Sequence, residues 1–88
     1  MKLVKVKRQI RIEAKPIDEL EENDIGKELT LVNINGEFYT GTFKEIVDDN
    51  VILRNPGELI GLGLPLKSVI CFFYGKLEDA IKKQIKNK

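Results

Sequence analysis

The sequence GKELTLVNINGEFYTGTFKEIVDDNVILR, residues 26–54, contains the clearest structural pattern in the chain. An apolar segment at 29–32 is followed by Asn35 and Gly36, a dipeptide that favours a tight turn because both residues accept a positive φ. Residues 37–47 then supply a second, longer strand. The sequence therefore predicts a β-hairpin with its turn at Asn35-Gly36.

The second strand of this hairpin changes phase along its length. Tyr39, Gly41 and Phe43 share one parity, whereas Ile46 has the other. A glycine inside a strand pattern marks a kink or a bulge, and sharply bent strands allow small barrels to turn corners. We therefore predict a bend or bulge near Gly41.

Shorter strands separated by turns follow. Residues 48–50 (Asp-Asp-Asn) and 55–57 (Asn-Pro-Gly) have turn composition and enclose a short strand at 51–54. Two further apolar strands are predicted at 58–62 and 69–74. Gly61, Gly63 and Pro65 are expected to loosen the backbone in this region.

The segment 69–74 has no polar face, and a chain of 88 residues cannot easily cover both sides of such a strand. We expect its second face or its edge to meet either a helix or another subunit. Leu77, Ile81 and Ile85 recur at helical spacing, so residues 76–88 are predicted to form an amphipathic helix. That helix is one candidate for the covering element.

The N-terminal segment alternates from Leu3 to Ile12 and predicts a half-buried strand with one basic face. Arg8 interrupts the apolar face, which indicates a bend or an edge position. Pro16 ends the strand, and residues 16–22 are expected to form either one or two helical turns or an acidic loop. The basic face of the strand is formed by Lys5, Lys7, Gln9 and Arg11.

The charge distribution is uneven although the formal net charge is only +1. Residues 1–15 carry +5, residues 16–30 carry −5, residues 31–75 carry −2 and residues 76–88 carry +3. The basic ends either attract nucleic acid or simply keep the chain soluble. With 42% apolar and 33% charged residues, the chain is expected to be one small globular domain.

Several functional classes are excluded by composition. The chain has no histidine and a single cysteine, Cys71, so a zinc site and an internal disulfide are not expected. The adjacent carboxylates Asp48 and Asp49 are expected to diverge into solvent, so we predict no catalysis, cofactor or small-molecule substrate. The chain shows no long apolar run and no secretory signal, which predicts a cytoplasmic protein without membrane contact.

A first motif is formed, in order, by Gly26, Leu29, Leu31, Asn35-Gly36, Tyr39, Gly41, Phe43, Ile46, Asn50 and Val51–Arg54. Its spacing resembles that of the Sm and Sm-like (LSm, Hfq-like) family. A divergent second motif is found in residues 64–69, Leu-Pro-Leu-Lys-Ser-Val, and in Phe72. The resemblance implies a mainly β fold: a small, strongly bent, five-stranded Sm-like (SH3-like) barrel at 25–75. An N-terminal basic strand with an acidic linker or short helix (1–24) and a C-terminal α-helix (76–88) are added to it.

Members of this family form rings of five to seven subunits, in which the fourth strand of one barrel pairs with the fifth strand of the next. The resemblance therefore implies a homo-oligomeric ring that binds single-stranded RNA, with roles as an RNA chaperone or in RNA metabolism. It assigns the subunit interface to the two predicted edge strands. The residues expected there are Leu59, Ile60, Val69, Ile70, Phe72 and Phe73.

The resemblance also implies RNA-binding residues. Asn50 matches the family's asparagine, Lys67 is the cation nearest to the family's Arg-Gly pair, and Asp48 matches the acidic position by a shift of one residue. The basic face with Lys5, Lys7 and Arg11 is a second candidate, because a ring would repeat it once per subunit. The alternatives are that Asn50 is only a turn residue and that the barrel is a structural or protein-interaction module. A third is a small regulator that binds duplex DNA through its N-terminal strand.

Overall fold

The computed structural model describes residues 2–7 and 10–86, with side chains from residue 12 to residue 83. This part of the chain contains seven β-strands and a C-terminal α-helix, together with short 3₁₀ turns. The strands are β1 (Lys2–Lys7), β2 (Ile10–Pro16), β3 (Glu28–Asn33), β4 (Phe38–Val47), β5 (Asn50–Arg54), β6 (Leu62–Pro65) and β7 (Val69–Tyr74), and the helix is α1 (Leu77–Lys86). The 3₁₀ turns are Ile17–Glu19, Glu22–Asp24 and Leu66–Ser68.

All strand pairs are antiparallel, and the hydrogen-bonded order is β1-β2-β7-β3-β4-β5-β6. The main sheet consists of the six strands β2-β7-β3-β4-β5-β6, and β1 extends it beside β2. The predictions of a mainly β fold and a C-terminal helix are confirmed. In the described part of the chain no pairing joins β6 to the opposite border, so the sheet is open.

The centre of the sheet is β3, which lies between β7 and β4 and is buried along five of its six residues. Side chains that point to one face form the larger core cluster. Those that point to the other face form a second cluster, which α1 covers with Leu77, Ala80 and Ile81. The larger cluster contains Leu29, Leu31, Phe43, Val51, Leu53, Leu64, Val69 and Phe72, and the second contains Ile12, Ala14, Val32, Cys71 and Phe73.

The strand β7 is therefore covered on both faces by its own chain. Val69 and Phe72 pack in the larger cluster, while Cys71 and Phe73 pack against α1. Of the two covering elements that the sequence left open, the helix is the one observed.

The predicted turn at Asn35-Gly36 is confirmed, and it is closed by backbone and side-chain hydrogen bonds. Gly36 has a φ of 80°, and its N–H donates to the Asn33 carbonyl over 3.0 Å. The Asn33 side-chain oxygen accepts from the Asn35 and Glu37 N–H groups at 3.0 and 2.8 Å. The loop thus resembles a three-residue hairpin loop with glycine in the left-handed position.

The bulge predicted for β4 is confirmed, but it lies between Phe43 and Glu45, slightly beyond Gly41. The extra residue explains why Ile46 has the opposite parity to Phe43. Gly41 has a different role, because a Cβ atom there would lie 3.0 Å from the Leu53 Cβ. The glycine therefore permits close approach of β4 and β5.

Two strand boundaries predicted from the sequence are wrong. The segment 3–12 is not one strand, because β1 and β2 are separate and pair antiparallel with Val4 opposite Ile12. The strand predicted at 58–62 begins only at Leu62, because the turn at 55–57 is followed by irregular backbone. Gly61 and Gly63 also lie close against β5, where an added Cβ would be 3.0 to 3.3 Å from the nearest atom.

The turn between β4 and β5 contains two non-glycine residues with positive φ, Asp48 at 49° and Asp49 at 63°. Glycine adopts this conformation without the steric penalty of a Cβ. We expect Asp49→Gly to raise the free energy of unfolding by about 0.5–1 kcal/mol, measured by urea denaturation. Asp18→Gly, outside any positive-φ position, is the matched control and is expected to be destabilising. A loss of stability in both variants would contradict the prediction.

Candidate nucleic-acid interface

The β4–β5 turn is a two-residue hairpin loop, since Val47 pairs directly with Asn50 and only Asp48 and Asp49 lie between them. The positive φ values of both aspartates are those of a type I′ turn, whose twist matches that of the flanking strands. Both side chains are exposed. The turn therefore presents two carboxylates to solvent at the end of the hairpin.

Asn50 is the first residue of β5 and is half-buried. Its side-chain amide donates to the Asp48 carbonyl over 3.1 Å. Asn50 therefore supports the turn, as the alternative interpretation of Asn50 as a turn residue predicted. The amide oxygen and the second amide hydrogen are not used by that bond. Asn50 can therefore stabilise the turn and still offer one acceptor and one donor to a ligand.

Lys67 lies in the 3₁₀ turn Leu66–Ser68, which is held against two hairpin turns. The Leu66 N–H donates to the Asp49 carbonyl and the Ile34 N–H donates to the Ser68 carbonyl, each over 2.8 Å. Residues 34–36, 48–50 and 66–68 thus form one group of loops, called here the turn cluster. Pairing of Asn50 with Pro65 places Lys67 at the same end of the sheet as Asn50 and Asp48.

The turn cluster has a mixed electrostatic surface. Asp48 and Asp49 are acidic, Lys67 is basic, and all three side chains are exposed. Because these charges face water, their mutual attraction is weak and their positions are set by the backbone. Carboxylates repel phosphate. A nucleic acid bound here would therefore place its phosphates near Lys67 and its sugars or bases near Asp48 and Asp49.

Tyr39 is half-buried and packs against the larger core cluster. Burial and the nearby carboxylate of Glu37 raise the pKa of its hydroxyl. The side chain is thus a neutral part of the sheet and is not a free platform for stacking a base.

The residues expected at a subunit interface fall into two groups. Val69, Phe72 and Phe73 are buried inside the chain. Leu59 and Ile60 are 90% and 83% exposed, and Ile70 is 41% exposed. In addition, the outer edge of β7 is partly occupied, because Lys15 pairs with Phe72 and Pro16 pairs with Cys71.

The candidate basic face of the N-terminal segment is not tested. The backbone of Lys5, Lys7 and Arg11 belongs to β1 and β2, but their side chains lie outside the described residues. Their role in nucleic-acid binding stays a prediction.

A polar network that the sequence did not predict lies at the other end of β7. Asp24 is 3% exposed and accepts from the Tyr74 hydroxyl at 2.7 Å, the Lys27 ammonium at 3.2 Å and the Glu21 N–H at 3.0 Å. Burial raises the pKa of this carboxyl, but the three donors outweigh burial and hold the pKa below its ordinary value. Lys15 and Lys27 each lie 5.1 Å from the centre of the Tyr74 ring.

This network fixes the acidic linker to the sheet. Glu21 and Asp24 form a capping box on the turn Glu22–Asp24, and Tyr74 connects that turn to β7. The groups in contact are far apart in sequence, so no local pattern signals them. The three donors all bind the Asp24 carboxylate, so we infer that the network stabilises the fold and does not bind a ligand.

No protein-family model, curated protein or solved structure matches the chain. In the part of the chain that the structure describes, no group of three or more His, Cys, Asp or Glu residues is placed to hold a metal ion. No helix there is long and apolar enough to cross a membrane. The site must therefore be judged by its own geometry.

Proposed function

We propose that this chain is a divergent, non-enzymatic Sm-like protein that binds single-stranded RNA as a homo-oligomer. The observation that carries the proposal is the hydrogen bond from the Leu66 N–H to the Asp49 carbonyl. This bond joins the turns that hold Asn50 and Lys67, the residues to which the family resemblance assigns RNA contacts. The bond brings residues that are distant in sequence into one group of loops, which supports the proposal.

The strand order is also compatible with this proposal. The five consecutive strands β7-β3-β4-β5-β6 are the ones that we assign to an Sm-like barrel, with β7 beside β3. The bulge in β4 supplies the sharp bend that such a barrel needs.

We assign different roles to the residues of the turn cluster. The Asn50 amide offers a donor and an acceptor to the edge of an unstacked base, which is how single-stranded RNA is commonly recognised. Lys67 contacts phosphate as a mobile point charge. Asp48 accepts hydrogen bonds from base N–H groups and keeps phosphate away from the turn. RNA therefore binds with its bases toward Asp48 and its backbone toward Lys67.

We propose that the subunits form a ring of five to seven members, joined through the borders of their sheets. The border strand β6 is unpaired on its outer side within the described structure, and Leu59 and Ile60 beside it are exposed. Because β2 already pairs with β7, the N-terminal hairpin takes the place of β7 at the other border. Pairing of two such borders satisfies exposed backbone groups.

The first test is the affinity for oligouridine and oligoadenosine, measured by fluorescence anisotropy at low and moderate salt. The double variant Asn50→Ala/Lys67→Ala is expected to bind about tenfold or more weakly, because it loses a base contact and a phosphate contact. Asn23→Ala/Lys82→Ala is the matched control, since both residues are exposed and lie outside the turn cluster. We expect this control to bind like the unchanged protein.

Two outcomes overturn the proposal. Equal loss of affinity in both double variants would show that the turn cluster is not the RNA site. Absence of salt-dependent binding in the unchanged protein would remove RNA as the ligand. Native mass spectrometry checks the ring, and a monomer at micromolar concentration would contradict it.

A second candidate is a protein-interaction module on the same fold. It is favoured by the exposure of Leu59 and Ile60, two large apolar side chains that are adjacent in sequence and almost fully solvated. Neighbouring exposed apolar residues often mark a contact surface. This candidate predicts that Leu59→Ser/Ile60→Ser abolishes partner binding and that the chain has no affinity for RNA.

A further inference from the structure

A polar groove of about 440 Å³ lies at the end of β5 opposite to the turn cluster. Its cationic groups are Lys44, which belongs to the bulged part of β4, and Arg54, the last residue of β5. The groove combines two positive charges, neutral hydrogen-bonding groups and a small apolar wall. It is lined by Thr42, Lys44, Arg54, Asn55, Pro56, Gly57, Glu58 and Leu59.

The guanidinium group of Arg54 is held in a fixed orientation. Its Nε donates to the backbone carbonyl of Glu58 over 2.6 Å, across the turn at 55–57. This bond uses the Nε–H donor and leaves the terminal amino groups available. Bidentate recognition of phosphate uses pairs of parallel N–H donors that include these amino groups. An arginine whose plane is already fixed loses less conformational entropy when it binds an anion.

Among the described residues that line this groove, Glu58 supplies the one carboxylate, and that carboxylate is itself engaged. The Glu58 carboxylate accepts from the side-chain amide of Asn55 over 3.2 Å. The same residue thus supplies its carbonyl to Arg54 and its carboxylate to Asn55. The formal charge of the groove is +1, because Lys44 and Arg54 outnumber Glu58.

The groove and the turn cluster are connected by one side of β5. Successive strand residues point to opposite faces, and Val51 and Leu53 are buried in the core. Asn50, Ile52 and Arg54 therefore form a row on the outer side of the strand. At about 3.3 Å per residue, four steps along β5 separate Asn50 from Arg54 by about 13 Å.

We infer that RNA bound at Asn50 continues along the outer side of β5 and places a phosphate in the groove against Arg54 and Lys44. This inference rests on the proposed function and extends it with a second site. The fixed guanidinium supplies the directed contact, and the Lys44 ammonium adds charge without fixed geometry. The nucleic acid then passes over Ile52, which is half-buried between the two polar sites.

Glu45 borders the middle of this path. Glu45 pairs with Ile52 across β4 and β5 and is exposed. Its carboxylate repels the phosphates of a strand that passes over Ile52. Neutralising Glu45 is therefore expected to strengthen binding, which is a direction that loss of folding cannot produce.

The experiment measures the affinity of oligouridine and oligoadenosine across a salt series for Lys44→Ser, Arg54→Lys and Glu45→Gln. Lys44→Ser is expected to reduce the steepness of the plot of log affinity against log salt by about 0.7, the value for one lost phosphate contact on a single strand. Arg54→Lys is expected to keep the slope but bind about fivefold more weakly, since it retains charge and loses the planar donors. Glu45→Gln is expected to bind more tightly.

The matched control is Lys82→Ser, an exposed lysine of α1 outside the groove. Identical slopes for Lys44→Ser and Lys82→Ser, with RNA binding intact in the unchanged protein, would overturn the second site and leave the proposed function standing. A weaker-binding Glu45→Gln variant would also contradict the path over Ile52. Absence of RNA binding in the unchanged protein would overturn both proposals.

Discussion

Replacing Phe72 by alanine is expected to lower the free energy of unfolding by about 3–5 kcal/mol. The Phe72 side chain is fully buried as a member of the larger core cluster, and it contacts Tyr74 edge-on with the ring centres 5.7 Å apart. Truncation removes apolar contacts and leaves a cavity that the surrounding sheet cannot fill. Since small domains are stable by only about 5–15 kcal/mol, much of the margin is lost. Urea denaturation measures the change.

The control for this variant is Ile70→Ala on the same strand, because Ile70 is 41% exposed. A loss of less than about 1 kcal/mol is expected there. Both measurements are repeated over a range of protein concentrations. If the loss of unfolding free energy in Phe72→Ala varied strongly with protein concentration, the Phe72 side chain would belong to a subunit interface and not to the core of one chain. Phe72→Leu supplies a milder variant in case Phe72→Ala does not fold.

The second large effect is expected for Asp24→Asn, with a loss of about 2 kcal/mol at neutral pH. An amide nitrogen in place of one carboxylate oxygen cannot accept from the Glu21 N–H or the Tyr74 hydroxyl, so a buried donor loses its partner. The folded-state pKa of Asp24 lies below the unfolded value of about 3.9. Its contribution is therefore fully present above about pH 4 and is lost as pH falls through the folded-state pKa.

Thermal or urea denaturation from pH 7 to pH 2 tests this dependence. The difference in unfolding free energy between the unchanged protein and Asp24→Asn is expected to narrow below about pH 4. Asp18→Asn, in the turn Ile17–Glu19 and exposed, is the matched control and is expected to show no such difference. A constant gap across the whole pH range would contradict the assignment of the network to the ionised carboxylate.

The parts of the fold that the sequence predicted are those with strong local signals. The loop at 33–37 follows from Gly36, whose positive φ suits glycine, and the strand 69–74 follows from an unbroken apolar run. The bulge of β4 was visible as a change of parity. In each case the deciding interaction lies within a few residues of the chain.

At the two strand boundaries that were predicted wrongly, the local sequence pattern did not indicate the pairing that forms. The alternation from Leu3 to Ile12 predicted one strand, with a bend or an edge position indicated at Arg8, whereas β1 and β2 are two strands that pair antiparallel. At Gly61 and Gly63 the local rule indicated only a looser backbone, whereas these glycines also permit close approach to β5. Only the tertiary neighbours reveal that role.

The candidate site divides in the same way. Asn50 and Lys67 were suggested by motif spacing, but their common location depends on the bond between Leu66 and Asp49, which no spacing rule predicts. The groove at Arg54 was not foreseen at all. It requires the arginine to be held by the Glu58 carbonyl, a contact that depends on how the turn at 55–57 closes.

The dimensions of β6 limit the kind of assembly that this chain can build. The strand has only four residues and finishes with Pro65, which has no N–H to offer another backbone. Short edge strands and prolines are devices by which proteins avoid open-ended growth into fibres. Strand addition at this margin would gain few backbone hydrogen bonds per added copy, so β6 disfavours growth of a fibre from this side of the sheet.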